Sequence, residues 1–313
     1  MSRTLQAHLW LVLATLVWGS TFLAIKVALD DASPLLFNAV RMAIAAVVLV
    51  AMYFRQLRML PAGAVRAGFA IGTLLWLGYE FQSAGLVYTT ASKSAFVTGI
   101  SVVLVPLLLA AAGRRIHPFT LAGVAAACIG LYLLCIPASQ EFSLSGINRG
   151  DVLTLGCALS FAFEIIVLGR AAQHYSFAQL VPVQITVCAG WMLLSVPIAE
   201  RHAFLHLTPA LTSALLYTAL PGTVACFIIQ AWAQRYTPPT HAALIFALEP
   251  VFAAFLSYLL IGERLGRRGL LGAAVILAGV LASELLGQVQ KPEQELAEEC
   301  GEPAVAVEQD EGR

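Results

Sequence analysis

The feature that most constrains this chain is a series of ten apolar runs, each about as long as a lipid bilayer is thick. A helix that crosses the hydrocarbon core needs about 20 mostly apolar residues. A soluble helix of that length would carry a polar face, which most of these runs lack. We therefore predict ten transmembrane helices joined by short connections. The predicted spans are 8–29, 34–54, 66–87, 92–112, 118–137, 150–170, 177–199, 210–234, 240–262 and 268–287.

The composition supports an all-α membrane protein and argues against a soluble domain or a nucleic-acid-binding protein. The chain is 59% hydrophobic and 12% charged, whereas a soluble domain is about 45–50% apolar and about 25% charged. Its formal net charge is zero, so nothing indicates a nucleic-acid partner. Five of the six cysteines lie in apolar runs without a CxxC or Cys/His pattern, which favours small core side chains over disulfides or metal ligands.

The chain also repeats itself across its midpoint. The segment YTTASKSA at Tyr88–Ala95 matches YTPPTHAA at Tyr236–Ala243, and a glutamine stands six residues before each tyrosine. The spacing between matched positions drifts only from about 143 to 149 residues. Further matches pair Gly113, Gly123 and Gly130 with Gly262, Gly272 and Gly279, and Pro34–Arg41 with Phe177–Gln184. Self-similarity of this kind indicates an internal duplication.

The duplication predicts two inverted repeats of five helices each. Because five is odd, the second half enters the membrane from the opposite side to the first. In transporters this arrangement places the substrate site near the midplane between the repeats. The predicted divisions are a first repeat at 1–137, a linker at 138–149, a second repeat at 150–287 and a disordered acidic tail at 288–313.

The positions of the positive residues predict how the chain is oriented in the membrane, which we expect to be the inner membrane of the cell. Cytoplasmic loops carry the excess of Lys and Arg, and in the first half most arginines fall on the N-terminal side. We therefore expect both termini in the cytoplasm. The second half disagrees, because Arg264, Arg267 and Arg268 fall in a predicted outside loop. We base the orientation on the first half because it is synthesised and inserted first.

Charged residues inside the predicted spans are candidates for function. A charge at a helix centre costs about 2.5–3.5 kcal/mol on insertion scales, so it must be paired or face a wet cavity. Glu80 either pairs with Arg41 or binds a substrate or proton. Glu164 is either a proton carrier or counter-ion for a cationic substrate, or a hydrogen-bonded structural acid. The last acid, Glu284, is expected to reach the interface.

Two sets of candidate residues follow. The candidate substrate-binding residues are Trp18, Ser20, Tyr79, Glu80, Gln82, Ser94, Glu164, Gln230 and His241. The candidate structural or gating residues are Arg41, Pro106, Pro221, Gly222, Glu249 and Pro250. The prolines are expected to break helical hydrogen bonding, since an interior proline frees the carbonyl four residues before it.

Four motifs make the chain similar to a known family over residues 8 to about 287. They are WGSTF at 18–22, SPLLFNAVRMAIAA at 33–46, AGLVYTTASKSAF at 84–96 and ALEPVFAAFLSYLLIGERLGRRGLLGAAVILAGV at 247–280. The chain resembles the EamA-type permeases of the drug/metabolite transporter superfamily. The resemblance implies a ten-helix inverted-repeat fold with a central cavity, export of amino acids, related metabolites or drugs, and no prosthetic group.

The function expected is therefore secondary export of small metabolites or drugs by alternating access, with proton coupling left open. The alternatives are an uncoupled facilitator or a channel-like pore. An intramembrane enzyme is disfavoured because the sequence carries no HExxH or GxSxG motif. The expected partners are a small-molecule substrate and membrane lipids, with no cofactor or metal, and the expected state is a monomer or homodimer.

Overall fold

The fold is an all-helical bundle in a computed structural model that describes residues 2–89, 91–136, 148–262 and 266–286. The side chains of residues 91, 92 and 284–286 are not described. Most of the predicted linker and the whole predicted tail lie outside the described residues, as does the side chain of Glu284. The helices are α1 Arg3–Ala28, α2 Pro34–Met52, α3 Phe54–Leu57, α4 Ala62–Leu86, α5 Ala91–Gly99, α6 Ser101–Ala111, α7 Pro118–Cys135, α8 Arg149–His174, α9 Phe177–Ala199, α10 Pro209–Ala219, a π-helical segment Leu220–Ala225, α11 Cys226–Ala233, α12 Pro239–Phe246, α13 Glu249–Ile261 and α14 Arg267–Leu286.

Eight helical stretches of the described chain are long and apolar enough to cross a bilayer. They are Arg3–Ala28, Pro34–Met52, Lys93–Ala111, Pro118–Cys135, Arg149–His174, Phe177–Ala199, Pro209–Ala233 and Pro239–Ile261. The predicted polytopic membrane bundle is confirmed at this level. Helices α4 and α14, of 25 and 20 residues, are not among these eight.

Capping side chains fix the starts of two long helices. At α8 the Asn148 N–H donates to Asp151 Oδ2 and the Asp151 N–H donates to Asn148 Oδ1, both at 3.0 Å. At α9 the Ser176 N–H donates to Gln179 Oε1 at 3.1 Å. Each pair satisfies N–H groups that have no partner inside the helix.

Contacts between distant helices define two ends of the bundle. Along α1, Arg3 donates to the Tyr236 hydroxyl at 3.1 Å, and Ala14 accepts from the Cys226 thiol at 3.6 Å. Helix α1 therefore runs antiparallel to α11. The end of α8 reaches the same end of the bundle, because Gln173 donates to the carbonyl of Gln234 at 3.3 Å. We call this the Arg3 end.

The start of α8 lies at the opposite end, which we call the Asp151 end. There Thr89, just after α4, donates to Asp151 Oδ1 at 2.6 Å. A side chain placed on Gly85 would meet Thr154, and one placed on Gly78 would meet Phe161. Helices α4 and α8 are therefore antiparallel neighbours, as α1 and α11 are.

Three stretches that the sequence predicts as continuous helices are interrupted. The fourth predicted span divides at Ile100 into α5 and α6, and the ninth divides just before Glu249 into α12 and α13. The eighth contains the π-helical segment, which begins beside Pro221 and Gly222. The break at Ala247–Leu248 directly precedes Glu249 and Pro250, and the π-helical segment contains Pro221 and Gly222, so both irregularities lie beside prolines. Pro106 instead lies inside α6, six residues after the break.

Helices α7 and α14 approach each other through glycines. A Cβ on Gly123 would lie 2.8 Å from the carbonyl oxygen of Gly279, and one on Gly272 would lie 2.6 Å from that of Gly130. Such distances leave no room for a side chain. The small residues of these two helices allow this close packing.

Candidate functional site

Glu164 lies in the middle of the bundle and is held by Gln230. Its side chain is 3% exposed. The Gln230 amide, 2% exposed, donates to Glu164 Oε2 at 3.2 Å and approaches Oε1 at 3.5 Å. Two residues that the sequence singled out separately therefore form one unit, carried by α8 and α11. An amide donor is a neutral partner, so it leaves the charge of an ionised carboxylate uncompensated.

Glu80 is held by different side chains from those expected. The Trp76 indole N–H donates to Glu80 Oε1 at 3.1 Å, and the Ser195 hydroxyl donates to the same oxygen. Trp76 also stacks on Trp191, with ring centroids 5.4 Å apart and planes at 27°. The sequence analysis did not single out Ser195 or Trp191, because the contact between α4 and α9 joins residues 115 apart.

Arg41 lies over an aromatic ring instead of beside Glu80. Its guanidinium carbon is 5.1 Å from the ring centre of Tyr79, a distance suited to a cation–π interaction. Tyr79 in turn meets Phe161 edge-on at 5.7 Å. In the described part of the chain the structure gives Arg41 and Glu80 separate partners and no ion pair with each other.

These groups converge from several helices. The Cys188 thiol on α9 is close enough to interact electrostatically with Arg41, Glu80 and Glu164. Tyr79 interacts in the same way with Glu249. Acids and a guanidinium contributed by α2, α4, α8 and α13 therefore share one region of the bundle.

Trp18 packs against the π-helical segment. Its indole N–H donates to the Gly222 carbonyl at 2.8 Å, and its ring meets Phe227 and Phe246 edge-on at 5.6 and 5.3 Å. Trp18 therefore joins α1 to α11 and α12, and its polar atom is already occupied.

The remaining polar candidates lie in separate places. Gln82 donates to Thr98 at 3.5 Å. Ser20 makes a 2.5 Å hydrogen bond with the Tyr217 hydroxyl near the surface. Ser94 is buried, and its hydroxyl has no hydrogen-bond partner among the described residues. The structure therefore does not gather all of the predicted substrate-binding residues into one site.

Two contacts near the ends of the bundle were not predicted. Lys93 Nζ lies 3.1 Å from Asp151 Oδ2 at the Asp151 end. The ring of His241 stacks on that of His8, at 5.9 Å and 22°, towards the Arg3 end. The capping pattern Asn148-x-x-Asp151 could have marked Asp151 as a helix start. The repeat spacing of 143 residues could have matched His8 with Asp151.

The fold and this polar centre define a class of protein. A bundle of bilayer-length helices that encloses acids and a guanidinium is typical of membrane transporters, in which buried charges mark pathways for substrates or ions. The chain belongs to the EamA-like transporter family, whose model matches residues 5–136 and 148–284. The resemblance found in the sequence is thereby confirmed.

Individual relatives agree with this assignment. An uncharacterized transporter of Archaeoglobus fulgidus is 36% identical over 290 residues, which span 90% of this chain and 87% of the relative. A probable amino-acid metabolite efflux pump of Escherichia coli is 27% identical over 86% of this chain and 91% of its own length. A solved crystal structure shares the fold with a TM-score of 0.77 at 18% identity, covering 90% of this chain and 98% of that one.

Proposed function

We propose that this transporter exports small metabolites, such as amino acids or related compounds, or drugs across the bacterial inner membrane by alternating access. Membership of the transporter family supports the class of activity. The outward direction is supported by two relatives named probable amino-acid metabolite efflux pumps, those of Escherichia coli and Salmonella typhimurium.

The buried Glu164–Gln230 unit carries this proposal. A carboxyl group at this depth is expensive to insert, and a bundle that served only as a scaffold would have no need of it. The neighbouring Arg41, Tyr79 and Glu249 add a cationic, a phenolic and an acidic group. Together they form the centre of a substrate or proton pathway.

We further propose ten membrane helices in two inverted repeats, 1–137 and 150–287. The two family matches support this division. So do paired contacts: Trp18 meets Phe227 edge-on at 5.6 Å, and Phe161 meets Tyr79 edge-on at 5.7 Å. Phe161 follows Trp18 by 143 residues and Phe227 follows Tyr79 by 148. The same contact therefore recurs with the halves exchanged.

Interrupted helices supply the points at which the repeats bend in this proposal. The helices that follow the two breaks, α6 and α13, begin at Ser101 and Glu249, which are 148 residues apart, so the breaks fall at corresponding places in the two halves. The π-helical segment is a third such point. Alternating access then follows from movement of one repeat against the other, with both termini in the cytoplasm.

Counterflow in proteoliposomes tests the proposed transport. Vesicles that contain the purified protein are loaded with an unlabelled mixture of amino acids and diluted into the same mixture carrying a radioactive label. A carrier accumulates label transiently above equilibrium, and empty vesicles do not. A channel-like pore equilibrates the label without overshoot, and an enzyme gives no uptake, so either result contradicts the proposal.

A further inference from the structure

One face of α4 carries Glu80 together with two aromatic rings. Phe69, Thr73, Trp76 and Glu80 follow one another at spacings of four, three and four residues, which aligns side chains along a helix. Phe69 is 50% exposed and the other three are half-buried. Ile71, on the opposite side of the helix, is fully buried. These four residues therefore form the outward face of α4.

Helix α9 packs along this face through Trp191 and Ser195. Trp191 stacks on Trp76 at 5.4 Å and meets Phe69 edge-on at 6.3 Å. The indole N–H of Trp191 donates to Thr73 Oγ1 at 3.1 Å. We call the outward face of α4, together with Trp191 and Ser195, the Glu80 seam.

The Glu80 seam faces the lipid. Leu194 and Ile198, on either side of Ser195 in α9, are 63% and 79% exposed, and the space beside Gly190 is open. Large apolar side chains that are exposed on a bilayer-length helix mark its contact with the membrane. The seam therefore lies at the boundary between protein and lipid.

One oxygen of Glu80 is left without a donor in this seam. The Trp76 indole N–H and the Ser195 hydroxyl both donate to Oε1. Among the described residues, Oε2 receives no hydrogen bond and no cation lies within ion-pair distance. Oε2 is also not one of their fully buried polar atoms, so a ligand can reach it. A carboxylate that borders hydrocarbon with neutral donors alone is costly, and an external cation would remove that cost.

The depth of the seam matches one leaflet of the bilayer. Glu80 lies six residues before Leu86, the last residue of α4, so it is about 9 Å from the helix end at the Asp151 end of the bundle. Phe69 lies eleven residues deeper, about 16 Å along the axis. Half of the hydrocarbon core is about 15 Å thick. The aromatic rings therefore run from the carboxylate towards the midplane, in the direction of a lipid chain.

We propose that the Glu80 seam binds a phospholipid whose headgroup carries a primary ammonium, phosphatidylethanolamine, in the leaflet at the Asp151 end. The ammonium donates to Glu80 Oε2, and an acyl chain lies along Trp76, Trp191 and Phe69. A primary ammonium supplies both N–H donors and a positive charge, and hydrogen bonds between two charged groups are the strong ones. This role gives Glu80 a lipid partner and goes beyond the transport function.

Photo-crosslinking tests the site without any transport assay. The purified protein is reconstituted in phosphatidylcholine vesicles with a trace of phosphatidylethanolamine that carries a diazirine in its acyl chain. A parallel sample receives phosphatidylglycerol with the same chain. After illumination, mass spectrometry gives the crosslink yield on residues 62–86 and 177–199, divided by the yield on residues 118–135. That reference segment is α7, which exposes Leu121 and Ile129 to lipid, so the ratio corrects for the amount of each probe in the membrane.

The ratio should be at least about fivefold higher for phosphatidylethanolamine than for phosphatidylglycerol, because only the former offers a charge-assisted hydrogen bond to the carboxylate. Glu80→Gln keeps an oxygen acceptor for Trp76 and Ser195 but has no charge, so it should lower the phosphatidylethanolamine ratio to the phosphatidylglycerol value. Asp30→Asn, which removes an exposed carboxylate outside the seam, is the matched control and should leave the ratio unchanged. Free ethanolamine in solution should not compete, because it has no chain to lie on the rings.

Equal ratios for the two lipids in the unaltered protein overturn the site, and this comparison needs no variant. A preference that survives in Glu80→Gln also overturns it, because the binding would then not depend on the carboxylate. Competition by free ethanolamine overturns the lipid as the occupant. Size-exclusion profiles and the yield on residues 118–135 establish that each variant is folded. Counterflow is a separate measurement, so a protein that transports without this lipid preference refutes the site alone.

Discussion

At the scale of single residues, Glu164 combines deep burial with a neutral partner. An ion pair would fix its charge, but an amide tolerates both the protonated and the ionised carboxyl group. Gln230 therefore positions the side chain without settling its protonation state. Glu80 is held more firmly, by an indole and a hydroxyl on two helices.

Glu164→Gln should reduce the initial rate of export at least about tenfold, because the amide fills the same space but cannot ionise. The measurement is efflux of labelled amino acids from proteoliposomes, corrected for the amount of folded protein. Asp30→Asn, which removes an exposed carboxylate after α1, is the matched control and should leave the rate unchanged. Normal export by Glu164→Gln would remove this residue from the mechanism.

At the scale of helices, the contact of α7 with α14 depends on the absence of side chains. A Cβ on Gly130 would lie 2.7 Å from the Gly272 carbonyl oxygen and 2.5 Å from Ile276. The backbone oxygen cannot withdraw without moving the helix. Glycine is required here for close approach, whereas Gly190 on α9 has open space around it.

Gly130→Ala should destabilise the protein by about 1–3 kcal/mol, the usual cost of overpacking a well-packed contact. Gly190→Ala should be neutral or slightly stabilising, since alanine is the better helix former by up to about 1 kcal/mol. The check is the thermal unfolding midpoint of each detergent-solubilised variant. Equal midpoints for the two variants would show that the glycine contact does not support the bundle.

Sequence patterns predicted elements better than they predicted contacts. Bilayer-length apolar runs and the helix break that precedes Pro250 follow from local chemistry. The break at Ile100 has no proline beside it, so the local sequence does not predict it. Ser195 and Glu80 are in contact only because α4 packs on α9, and the residue spacing within either helix does not predict that contact.

At the scale of the whole molecule, the account depends on two halves that enter the membrane from opposite sides. That arrangement accounts for three recurrences at once. They are the repeated aromatic contact, the paired helix breaks and the two contacts at the ends of the bundle. The alternative, two halves with the same orientation, would bring corresponding helix ends to the same face.

Labelling of single cysteines in intact cells tests this arrangement most directly. The reporters are Asp30→Cys, Arg58→Cys, His174→Cys and Arg235→Cys, four exposed positions in a cysteine-free protein, treated with an impermeant maleimide. The account predicts that Asp30→Cys is labelled from outside, whereas Arg58→Cys, His174→Cys and Arg235→Cys react only after the membrane is opened. Asp30 and His174 end the first helices of the two halves, so labelling of both from one side would contradict the inverted repeat and the export proposal built on it.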